Sequence, residues 1–144
     1  MDKEKYKKII KEVTPKTNIK RNGMLAFFSG GCISLVAQFI NLVLENNTQI
    51  SSENRTIIIM FGFILVSGIL TGLGLFDKLV QIFGAGLFIP ITGFSNAVCS
   101  EALEYKSEGP IYGIGANMFK LAGSVITYGV ITSISLTLIY ALFV

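Results

Sequence analysis

Four stretches of this chain, residues 24–44, 56–76, 79–100 and 121–144, contain no Asp, Glu, Lys or Arg. Each holds about the 20 predominantly apolar residues that a helix needs to cross a hydrocarbon core. In lipid every backbone N–H and C=O must be paired within the protein, and at this length and apolarity helices are the structure that achieves it. The sequence therefore predicts an all-α integral membrane protein with about four transmembrane helices. Composition agrees: of 144 residues, 51% are hydrophobic and 15% charged, at a mean hydropathy of +0.64. A cleaved leader is a poor reading of the first stretch, because both the basic region before it and the apolar run itself are longer than such signals use.

The same composition removes most chemistry. The chain has no His, and its two cysteines, Cys32 and Cys99, stand far apart. Zinc clusters, Cys–His nucleophile pairs and a disulfide framework are thereby excluded as sensible readings. Neither a nucleophile with its base nor a phosphate-binding GK[ST] loop is present. The expectation is a protein that is not an enzyme, with no cofactor and no structural metal.

Charge sets the organisation. Lys3, Lys5, Lys7, Lys8, Lys11, Lys16, Lys20 and Arg21 precede the first stretch, opposed by Asp2, Glu4 and Glu12. The positive-inside rule places residues 1–23 in the cytoplasm as a basic tail, ahead of a polytopic membrane domain over 24–144. Tyr6, Ile9, Ile10 and Val13 recur at helical spacing opposite the lysines. They predict a short amphipathic helix ended by Thr14-Pro15 and docked on membrane lipid. The tail lacks the interleaved aromatics of a nucleic-acid surface, and no nucleic acid is expected as a partner. The loops at 45–55 and 101–110 are acidic on balance and fit the outer face, while Asp77 and Lys78 are expected to form a tight inner turn.

The first two stretches look like packing helices. Gly68 and Gly72 form a GxxxG pair, and Gly30-Gly31 with Ser34 makes a small-residue face. Ser34, Gln38, Asn41 and Glu45 step along one side of the first helix, as interhelical hydrogen bonding or a water path would require.

The second half is irregular. Gly84, Gly86, Pro90 and Gly93 lie inside the third stretch, and a mid-helix proline removes a donor and crowds the carbonyl four residues back. A kink or break is expected at Gly86, Pro90 and Gly93. Beyond it Thr92, Asn96, Ser100 and Glu104 step by four along one face, with Glu101 beside them. They form a polar line from mid-membrane toward the acidic loop. Ser and Thr in such a line also satisfy carbonyls of their own helix, whereas Asn96 needs partners for both an acceptor and a donor.

Residues 111–144 are too long for one simple crossing. Asn117, Lys120, Ser124 and Thr127 share a helical face there, and Lys120 is a cation set between apolar stretches. Such a lysine either snorkels to the surface or faces water or a partner. Phe83-Gly84-Ala-Gly86 and Tyr112-Gly113-Ile-Gly115 are matching aromatic-Gly-x-Gly units. Paired interruptions of this kind build midplane sites in transporters, so broken or re-entrant segments are expected around Pro90 and at Gly113 and Gly115.

These residues also carry a family resemblance. The blocks Phe76-Asp-Lys, Gly84-Ala-Gly86, Pro90-Ile-Thr-Gly93-Phe-Ser-Asn96, Glu101-Ala-Leu-Glu104-Tyr-Lys, Glu108-Gly109 and Gly113-Ile-Gly115-Ala-Asn117-Met-Phe-Lys120-Leu-Ala-Gly123 closely resemble the SpoVAC/SpoVAEb family of spore membrane proteins. Val13-Thr-Pro15-Lys and Gly30-Gly31 extend the likeness over nearly the whole chain. The lysine-rich start fits the SpoVAC side of the family better than the SpoVAEb side.

The resemblance implies a subunit of a spore inner-membrane channel complex. Such a complex moves dipicolinic acid, with calcium, into the forespore during sporulation and out at germination, with mechanosensitive channel activity. It implies stage V sporulation proteins AD and AEb as partners. The alternative is a structural or gating subunit packed around a pore formed by a partner. Four helices cannot enclose a wide pore, so a homo- or hetero-oligomer is expected. For a planar dianion that chelates calcium, Thr92, Asn96, Ser100, Glu104, Asn117, Lys120 and Ser124 are the expected permeation contacts. Glu101, Glu104 and Glu108 are the expected calcium-facing group, since that ion takes hard oxygen ligands.

Overall fold

The computed structural model describes residues 18–47 and 49–143, together with residues 3, 5, 6, 10 and 13 of the tail. The expected amphipathic tail helix falls largely outside the described residues. The rest is helical. The first two apolar stretches form α1 (Ile19–Asn47) and α2 (Ser52–Gly72). Ser51 caps α2, its side chain accepting from the Asn54 N–H at 3.5 Å.

The end of α2 is set by one glycine. Gly74 has φ +67°, and the N–H groups of Gly74 and Leu75 donate to the carbonyls of Thr71 and Leu70, both at 2.9 Å. This is the left-handed closure that glycine adopts without steric cost. The turn therefore falls at residues 73–75 rather than at Asp77 and Lys78, which lie inside the next helix, α3 (Phe76–Phe83). There they fit the polar face of an amphipathic turn whose other face holds Phe76, Leu79, Val80 and Phe83.

The third apolar stretch is divided into α3, α4 (Ala85–Phe88) and α5 (Ile91–Glu104). Gly84 makes the first break with φ +63° and ψ −138°, a conformation essentially restricted to glycine. The second break is at Pro90, which has no N–H to continue the ladder and stands extended at ψ 176°. Thr92 repairs part of it by donating its hydroxyl to the Leu87 carbonyl at 2.8 Å. Among the described residues three helices are long and apolar enough to cross a membrane: Ile19–Asn46, Ser52–Gly72 and Pro110–Phe143. The third stretch supplies none of them.

After α5 the chain tightens into a 3-10 turn (Tyr105–Glu108), passes Gly109 at φ +97°, and widens into a π-helical segment (Pro110–Gly115) before α6 (Ala116–Phe143). The Ile114 N–H reaches back five residues to the Gly109 carbonyl at 3.0 Å. The two aromatic-Gly-x-Gly units thus interrupt their helices differently, one through a positive φ and the other through a wide turn.

The interior is polar and the exterior apolar. Among the described residues the buried side chains are Phe76, 1% exposed, with Ser29, Ser67, Thr71, Thr92, Ser95 and Asn96. Phe27, Leu35, Phe39, Phe61 and Leu142 face outward. That inversion suits a chain whose solvent is hydrocarbon, where apolar burial between helices contributes little and hydrogen bonds and close backbone approach hold them together.

Candidate functional site

The closest backbone approach is made by glycines. At Gly86 of α4 an added Cβ would collide with Ser29 and the Ala26 carbonyl of α1, and Gly30 of α1 faces Gly86 directly. Ser29 completes this crossing by donating to the Phe83 carbonyl at 3.3 Å. At Gly93 a Cβ would run into the Phe88 backbone, so this glycine permits the fold-back at Pro90. Gly68 meets Cys99 and Ser95 of α5, whereas Gly72 has open space around it, so one glycine of the GxxxG pair makes the contact.

Along that α2–α5 seam lies a ladder of hydrogen bonds. Ser67 Oγ donates to the Thr92 carbonyl at 2.6 Å, and Ser95 Oγ donates to the Ile64 carbonyl at 2.8 Å. Thr71 shares one hydroxyl proton between the Ser67 carbonyl and Asn96 Oδ1, each 2.8 Å away. Asn96 Nδ2 points to Asp77 Oδ1 at 3.5 Å, which fixes the amide's orientation because a carboxylate only accepts. Thr92 and Asn96, the inner half of the expected polar line, are thus buried against α2. Ser100 is half-buried and Glu104 exposed.

Glu101, beside that line, meets the last helix. A cleft of about 290 Å³ is lined by Glu101 of α5, by Tyr105 at the start of the 3-10 turn, and by Asn117, Lys120, Leu121 and Ser124 from α6. Three residues singled out on α6 therefore share one cleft with Glu101, while Ser100, Glu104 and Glu108 lie outside its wall. Gly113 allows this arrangement, since a Cβ there would strike the Tyr105 carbonyl. Asn117 donates to the Gly113 carbonyl at 2.9 Å, leaving its side-chain oxygen as an acceptor. Ser124 and Thr127 bond carbonyls of their own helix, at Leu121 and Gly123, both at 2.7 Å.

Lys120 is exposed and makes no ion pair or hydrogen bond among the described residues, although Glu101 lines the same cleft. The charge-free residues beyond it in α6 extend roughly 33 Å at about 1.5 Å per residue, a full hydrocarbon thickness. That length alone suffices for a crossing, while the helical run long and apolar enough to cross spans Pro110–Phe143 and includes Lys120.

The polar stripe of α1 has a partner, Arg55, that its own periodicity does not reveal. The Arg55 side chain, only 14% exposed, is held at the α1–α2 end. Its Nε donates to Asn41 Oδ1 at 3.2 Å, one terminal nitrogen donates to the Ile50 carbonyl at 3.0 Å, and the other lies 3.5 Å from Glu45. The stripe of Ser34, Gln38, Asn41 and Glu45 thereby has a cationic partner. Its sequence signal was an arginine one turn into α2 opposite an Asn–Glu pair spaced by four. Ser67 and Thr71 were likewise missed as partners for Thr92 and Asn96, although they repeat the same four-residue step.

A broken apolar segment clasped by two long helices through hydroxyls and an amide, beside a third long apolar helix with a polar cleft, defines a small polytopic helical membrane protein with a buried, hydrogen-bonded polar seam. The chain belongs to the SpoVAC/SpoVAEB sporulation membrane protein family, whose model matches residues 22–139. It is 40% identical over 131 residues to stage V sporulation protein AC of Bacillus subtilis (strain 168), across 91% of this chain and 87% of that protein. No solved structure matches it.

Proposed function

We propose that this chain is a subunit of a spore inner-membrane channel complex that passes dipicolinic acid, with calcium, into the forespore and out again at germination. The observation that carries the reading is the Lys120 cleft. It holds an ammonium without a side-chain partner among the described residues, an amide oxygen and a hydroxyl beside a carboxylate, in the first turns of α6. A dianion cannot enter hydrocarbon unaided, and a cation at a low-dielectric mouth concentrates it there. Glu101 lines the same mouth, while Glu104 and Glu108 lie outside its wall and form no metal-holding group with it among the described residues, so they would attract calcium only as surface charge. α6 has no buried residue, so a neighbouring subunit would close the cleft into a path. Stage V sporulation proteins AD and AEb are the proposed partners, with the N-terminus on the cytoplasmic side.

Thr92 and Asn96 join such a path when α2 and α5 part. Membrane tension, which favours expanded cross-sections, is the proposed trigger for that separation. The burial of these two residues also favours a second reading, in which the chain is a gating or structural subunit around a partner's pore. Dipicolinate efflux from liposomes separates the two. Efflux from the protein alone that rises at reduced external osmolarity and falls in Lys120→Ala supports a pore-forming subunit. Efflux that requires a partner supports the accessory reading, and none in either case overturns both.

A further inference from the structure

The groove between α1 and α2 at the Arg55 end has a volume of about 470 Å³ and changes character along its length. Gln38, Asn41 and Arg55 line its polar part, and Ile59, Met60 and Phe63 line its apolar part. Arg55 is one turn into a membrane-crossing helix, so the polar part lies near the headgroup level and the apolar part runs toward the hydrocarbon. We infer that this groove is a binding site for an acidic phospholipid, with the phosphate on Arg55 and an acyl chain along Ile59, Met60 and Phe63.

The guanidinium is prepared for such a ligand. Asn41 and Ile50 fix its plane through two hydrogen bonds. Its counter-charge is weakly held, because Glu45 lies 3.5 Å away and is 51% exposed, free to swing into water. An arginine has five N–H donors, so an incoming phosphate finds the remaining ones in a fork matched to its oxygens. Among the described residues the Gln38 amide has no hydrogen-bond partner and adds donors further along the groove. A free anion would satisfy Arg55 but leave the apolar part empty, which is why a lipid is the better occupant.

The test is native mass spectrometry of the full-length protein in detergent with added phosphatidylglycerol or phosphatidylcholine. The wild type should retain phosphatidylglycerol preferentially, and Arg55→Gln should reduce that retention by about tenfold, as expected for loss of a charge-assisted contact. Glu45→Gln removes the competing carboxylate and should raise retention by about threefold. It leaves Arg55 and its two fixing bonds in place, so it decides the matter even where Arg55→Gln fails to fold. Unchanged retention in Glu45→Gln, or equal retention of the two lipids, overturns the proposal. Full displacement of phosphatidylglycerol by millimolar inorganic phosphate would make this a free-anion site and also overturn it.

Discussion

Thr71 Oγ1 lies 2.8 Å from Asn96 Oδ1, joining α2 to α5 at a point where both side chains are buried. Because Asn96 Nδ2 is directed at Asp77 and the Thr71 hydroxyl also reaches the Ser67 carbonyl, one amide couples three helices. Asn96→Ala should cost about 1 kcal/mol, the scale of an interhelical hydrogen bond in a membrane protein. Asn96→Asp should cost more, since it sets a second carboxylate against Asp77. Reversible unfolding in mixed detergent micelles checks both, and equal stability of Asn96→Ala and wild type would show that the Asn96 amide adds nothing to a seam that Ser67 and Ser95 also bridge.

The Gly86 crossing predicts a sharper loss. Gly86→Ala drives a methyl group into Ser29 and the Ala26 carbonyl and should destabilise by about 1–3 kcal/mol through overpacking. Gly31→Ala, on the same helix as Ser29 but with nothing within 4 Å of its Cβ, should be neutral or slightly stabilising because alanine is the better helix former. Thermal unfolding of the two variants side by side measures the difference.

Gly84→Ala tests the first break independently of packing. Its Cβ would meet open space, so the expected loss of about 1–3 kcal/mol comes entirely from φ +63° and ψ −138°. The same thermal measurement applies, and a wild-type melting temperature would mean that the α3–α4 joint has relaxed to an ordinary conformation.

Lys120 is predicted to act through its charge. In spores, Lys120→Ala should slow terbium-detected dipicolinate release by about tenfold, the lower end of electrostatic focusing effects, whereas Lys120→Arg should stay near wild type. Glu104→Gln should alter the accompanying calcium more than the anion. Wild-type loading and release in Lys120→Ala, at normal protein levels, would remove Lys120 from the path.

Topology is open to direct labelling. With Cys32 and Cys99 replaced by Ser, a Ser107→Cys variant places one thiol in the exposed 3-10 turn between α5 and α6. If the broken α3–α5 segment together completes a crossing, a membrane-impermeant maleimide should reach it from the face opposite the basic tail. Reaction only from the tail's own side would mean that α3, α4 and α5 enter the membrane and return to the same surface.

The sequence by itself determined the solvent and the class of this protein. Charge-free stretches of crossing length leave helices as the way to pair the backbone in lipid, and Pro90 among glycines marked a break without knowledge of any neighbour. The resemblance carried by residues 76–124 also pointed to the family that the comparison confirms. Local chemistry ended there. Whether the third apolar stretch crosses as one helix depended on Gly84 taking a positive φ, which its flanking residues permit but do not require. Tertiary structure alone decided which polar side chains face one another, because hydrogen bonds between helices depend on rotation about each axis and on crossing points. A periodic pattern with nearly uniform hydrophobicity leaves both free. Thus Thr92 and Asn96 turned inward to Ser67 and Thr71, Arg55 found Asn41 and Glu45, and Lys120 came to share a cleft with Glu101.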